Sequence, residues 1–167
     1  MAELMDQEIT ALSLANGIDR IYQEFTDAVR ALGNKRNGKK LAGSLAHWLV
    51  GSHVKTELDI ICESFANDMT AHLEMFDMAI EGISEEEKRE ACAVVVERCS
   101  RTVDGNSNST TDLMKRAMVR LVMKYLPYLS REQLTEVKER LEKAYAKWNR
   151  LPVEKDFIKE INRLLGC

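Results

Sequence analysis

The sequence predicts an all-α fold: a single-domain helical bundle spanning residues 1–167, with five to seven helices. Three observations predict it. Apolar residues recur at three- and four-residue spacing along almost the whole chain, and alternating strand patterns are nearly absent. Only 2 prolines and 8 glycines punctuate 167 residues, too few for the turns a sheet protein needs. Hydrophobic residues make up 45% and charged residues 31%, a balance with enough apolar material for one core in one domain.

The first helix is expected from about residue 4 to Leu32, with Leu14, Ile18, Ile21, Phe25, Val29 and Leu32 as its apolar stripe. Gly17 marks a bend in it, and Gly33-Asn34 supplies the stop. A second helical region follows from Leu41 to Ile80. At roughly 60 Å a straight helix of that length would overreach a compact domain, so a break is expected at Gly51-Ser52, with Ser52 capping the second piece. Leu58, Cys62, Phe65, Met69, His72 or Leu73, Phe76 and Ile80 form the stripe after the break. Ser84 and Glu87 have capping-box spacing and open a third helix with Cys92, Val95, Val96, Cys99 and Val103 as its stripe.

The segment at about 113–126 is apolar nearly all round, as expected of a central helix, and Pro127 ends it. Ser130 and Gln133 form another capping box. They open a helix with a heptad-like seam of Leu134, Val137, Leu141, Tyr145 and Trp148, flanked by the i,i+4 pairs Glu136/Arg140 and Glu139/Lys143. Pro152 starts a last short helix carrying Phe157, Ile161 and Leu164.

Net charge is −3, too mild to imply a partner by itself. Its distribution is uneven: residues 1–83 carry 7 basic against 13 acidic side chains, and residues 84–167 carry 17 against 14. Such asymmetry suits self-association or an acidic partner. No apolar stretch approaches the ~20 residues of a membrane span, and the N-terminus lacks the pattern of a secretory signal. Cys62, Cys92, Cys99 and Cys167 form no C-x-x-C pair and read as reduced thiols, so a cytoplasmic location is expected.

Four constellations could carry chemistry. Arg116, Arg120 and Lys124 sit at i, i+4 and i+8, one basic stripe on an otherwise apolar helix. With Lys35, Arg36, Lys39 and Lys40 in the loop after the first helix, the stripe is the candidate site for nucleic acid or another anion. The bland alternative is the solvated edge of a nearly buried helix. The histidine–carboxylate pairs His53/Glu57 and Asp68/His72 give two ligands each. They stand roughly 28 Å apart along one helix, so no metal site is expected. Asp104, Asn106, Asn108 and Asp112 match part of a calcium loop, but Ser109 replaces the turn glycine and Lys115 stands where a bidentate glutamate belongs. No nucleophile elbow, phosphate loop or dinucleotide fingerprint is present.

The chain is therefore expected to be a non-enzymatic interaction or regulatory protein acting through helix-mediated contacts, as a homodimer and with a further protein partner. Neither cofactor nor membrane is implied. The eight methionines suit adaptable contact surfaces. The first alternative is a nucleic-acid-binding regulator or packaging protein using the basic stripe and loop. The second is a metal-dependent enzyme with its site inside the bundle.

Overall fold

The structure, a computed structural model, describes residues 10–36, 56–101, 110–146 and 150–166, with the backbone alone at 34–36, 110–112 and 145. Its elements are α1 (Ala11–Arg36), α2 (Glu57–Ile80), α3 (Glu85–Arg101), α4 (Thr110–Ala117), α5 (Val119–Val122), a 3-10 helix (Met123–Tyr128), α6 (Arg131–Tyr145) and α7 (Pro152–Leu165). Among the described residues there is no strand, and the all-α bundle is the observed architecture.

Helix α1 starts on Thr10, whose hydroxyl accepts from Ser13 N at 3.1 Å and whose carbonyl accepts from Leu14 N at 3.0 Å. Leu14, Ile18, Phe25 and Leu32 are buried as the periodicity demands, with Tyr22 beside them in place of the half-buried Ile21. The helix runs through Gly17 and on through Gly33 to Arg36, so Gly33-Asn34 does not supply the expected stop. Gly33 is not left-handed: the positive-φ residue among those described is Gly166, the cap of α7.

The role of Gly17 is to admit a neighbour. A Cβ there would lie 3.1 Å from His72 Cε1, so the missing side chain lets the imidazole reach the α1 backbone. His72 Nε2 stands 2.6 Å from the Leu14 carbonyl oxygen; a carbonyl can only accept, so Nε2 carries the proton. His72 is thus tied to a backbone carbonyl rather than to Asp68. Around this point α2 lays Cys62, Phe65, Met69, Leu73, Phe76 and Ile80 on α1, with Phe25 and Phe65 stacked at 4.1 Å. The cap of α2 is Thr56, in a reciprocal box with Asp59. The expected break at Gly51-Ser52 lies outside the described residues.

The central element is α3, which packs against α1, α4, α5, the 3-10 helix and α6. Cys92, Val95, Val96 and Cys99 all have zero exposure on its inner face. The segment at about 113–126 is instead divided: an α-helical turn ends near Met118, and Met123–Tyr128 tightens into 3-10 geometry that includes Pro127. Val119, Val122 and Tyr125 are buried at a spacing of three, as are Leu126 and Leu129. All five lie on the side of the chain that faces the core.

Helix α6 begins with the Ser130–Gln133 capping box expected from sequence and buries Leu134, Val137 and Leu141. Helix α7 begins with Pro152 at its first turn and buries Phe157, Ile158, Ile161 and Leu165. Arg131 Nη2 donates to the Leu165 carbonyl at 3.0 Å, placing a cation at the negative end of α7. Of the stripe Leu58–Phe76 and the seam Leu134–Trp148, the described residues Cys62, Phe65, Met69, Leu73, Phe76, Leu134, Val137 and Leu141 are buried inside the chain. Tyr145 (side chain) and Trp148 lie outside the described residues.

Candidate interaction surface

The structure separates the basic stripe. The break near Met118 changes the helical screw between Arg116 and Arg120, so the i, i+4, i+8 alignment does not hold. Arg116 is 3% exposed and points inward, with Nη2 2.7 Å from Glu154 Oε1. Glu154 has zero exposure. Lys124 is at the surface, but its ammonium is 2.6 Å from Asp77 Oδ2. Arg120 is exposed. Lys39 and Lys40 lie outside the described residues, and Lys35 and Arg36 end α1 with their side chains undescribed.

Burial sets the chemistry of the interior groups. Tyr125 donates its hydroxyl to Asp77 Oδ1, and burial followed by that hydrogen bond raises the phenol well above its usual range. Burial also pushes the Cys92 and Cys99 thiols up to about 12, and raises Cys62. Such thiols are protonated and unreactive at neutral pH. Among the described residues no group of three or more His, Cys, Asp and Glu side chains could hold a metal ion. His47, His53 and the calcium-like loop Asp104–Asn108 lie outside those residues, as does the side chain of Asp112.

What the fold builds at its surface is a groove of about 480 Å³ between α3 and α6. Helix α3 lines one wall from residues at helical spacing, Glu86, Glu90, Ala93, Val94 and Glu97, on the flank next to its buried stripe. Helix α6 lines the other with Gln133, Glu136, Val137 and Arg140, and Leu129 closes the floor. Gln133 is held by its cap, its Oε1 accepting from Ser130 N at 2.9 Å. At the far end Arg140 donates to the Ser100 hydroxyl and stands 3.9 Å from Glu97, which also holds Arg101.

Arg140 therefore turns toward α3 and not toward Glu136, the i,i+4 partner expected for it. That leaves Glu136 without an ion pair among the described residues. Glu86, Glu90 and Glu136, with Arg89, form no ion pair among the described residues. The floor of Ala93, Val94, Leu129 and Val137 is apolar. Comparison with family models, curated proteins and solved structures gives no match.

Sequence reasoning passed over this groove because it needs two helices 40 residues apart in the chain. Its one local trace is Ala93-Val94 set between Glu90 and Glu97 on the flank of an otherwise clean stripe. Glu154 had a clearer trace. It precedes Phe157, Ile158, Ile161 and Leu165 by three, four, seven and eleven residues, so a carboxylate stands on the apolar stripe of α7.

Proposed function

We propose that the protein is a non-enzymatic interaction module that receives a protein partner in the groove between α3 and α6. One observation carries the reading: an apolar floor lies beside Glu86, Glu90 and Glu136, which form no ion pair among the described residues. Protein interfaces combine an apolar centre with a polar rim, and a groove between two helices is a common seat for a helical segment. The lining supplies no histidine, cysteine, serine or lysine. The described apolar residues of α2 and of the Leu134–Trp148 seam are mostly buried within the chain, so the proposed contact is with a different protein. The nucleic-acid reading loses its main support with the burial of Arg116.

Photo-crosslinking in the native cell tests the proposal. p-Benzoylphenylalanine replaces Val94 in one variant and Glu142, exposed on α6, in another. The expected result is a discrete adduct with one protein from the Val94 position and none from Glu142. Adducts from Glu142 alone, or equal diffuse labelling from both, would overturn it.

A further inference from the structure

We infer that the partner is a basic amphipathic helix of about three turns, seated between α3 and α6 with its apolar side on Ala93 and Val94. The inference rests on reading the groove as a docking site, and goes beyond it by naming the partner's chemistry. Length comes from the lining: Glu86 to Glu97 spans eleven residues of α3, roughly 16 Å of rise. Charge comes from the rim. Glu97 and Arg140 face each other, which among the described lining residues leaves Glu86, Glu90 and Glu136 against Arg89. Glu86 and Glu90 stand one turn apart on α3, so a partner with lysine or arginine at i and i+4 can meet both while the residue between them on its inner side reaches the floor.

A second copy of this chain fits poorly. Of the five exposed large apolar side chains among the described residues, three, Ile60, Met75 and Met78, lie on α2. That helix carries six carboxylates and no lysine or arginine, so docking it would bring acid against acid. Phosphate-bearing partners meet the same repulsion at the rim.

The test measures fluorescence anisotropy with the full chain and three labelled synthetic peptides of about 12 residues. One is an amphipathic lysine–leucine helix, one has its lysines replaced by glutamate, and one scrambles the first to remove its apolar face. The expected result is binding of the first alone, weakened about tenfold between low and physiological salt. Glu90→Lys with Glu136→Lys, and separately Val94→Asp, should each weaken it by about tenfold or more with an unchanged circular dichroism melt. The charge reversals sit at exposed positions and keep the test valid if Val94→Asp disturbs the fold. Binding of the acidic peptide that Val94→Asp abolishes would overturn the basic partner while sparing the groove. Binding of the lysine peptide equal in all variants would overturn the groove itself. Equal binding of the scrambled peptide, or no binding of any, would overturn the helical basic partner.

Discussion

Arg116 and Glu154 form an ion pair at 2.7 Å with both side chains out of solvent, and it fixes where α4 meets α7. Glu154 Oε2 has no hydrogen-bond partner among the described residues, so the carboxylate depends on that one guanidinium. Taking two charges out of water costs about as much as their attraction returns, but leaving one behind costs far more.

Arg116→Met alone and Glu154→Leu alone are therefore each expected to lower stability by about 3–5 kcal/mol. The double variant should recover most of that loss, because two apolar side chains of similar volume then fill the site. Urea denaturation measures all three, and a double variant as unstable as the sum of the singles would refute the pairing.

Gly17 and His72 form the second testable pair. Gly17→Ala gains up to about 1 kcal/mol of helix propensity but pushes the imidazole off the Leu14 carbonyl. It should destabilise the native protein and stabilise a His72→Ala background. A double-mutant cycle should give a coupling of about 1 kcal/mol or more. Additive changes would mean that the ring shifts freely and that its hydrogen bond contributes nothing.

These pairs mark the limit of what the sequence made legible. Local signals came through: the box at Ser130 and Gln133, the proline opening α7 and the α2 stripe from Cys62 to Ile80 depend only on neighbours within a few turns. The stop at Gly33 did not, because a glycine ends a helix only where the chain takes a left-handed turn, and α1 continues to Arg36. The basic stripe failed for a related reason. Arg116, Arg120 and Lys124 share a face only if the helix is continuous, and the turn at Met118 that interrupts it has no neighbouring glycine or proline to announce it. The groove was beyond local reading, since its floor joins Val94 to Val137.

The buried thiols and Tyr125 give the third prediction, an alkaline limit to stability. Cys92 and Cys99 rise from an ordinary 9.0 to about 12 in the folded chain, and Tyr125 is raised as well. Below pH 9.0 both states keep the thiol protons and the contribution is complete. Above it the unfolded chain releases protons that the folded chain retains, so stability falls as pH rises toward 12. Urea midpoints should decline steadily across that range. At about pH 8 iodoacetamide should leave Cys92 and Cys99 unmodified until urea is added. Labelling of either at the rate of a free thiol would show that the core around α3 opens locally.

The last prediction separates a wet helix edge from a phosphate-binding one. Arg120 is exposed, so Arg120→Glu should change stability by no more than about 0.5 kcal/mol. Arg116→Glu sets a second carboxylate against buried Glu154 and should abolish cooperative folding. Lys124 is already engaged by Asp77, so the three cations cannot act as one row along a phosphate backbone. A short DNA duplex is accordingly expected to show no gel shift at physiological salt. A salt-dependent shift that Arg120→Glu removes in a folded protein would restore nucleic acid as the partner through this face. A shift that survives Arg120→Glu would instead move the contact to Lys35, Arg36, Lys39 and Lys40, where reversing those four charges should eliminate it.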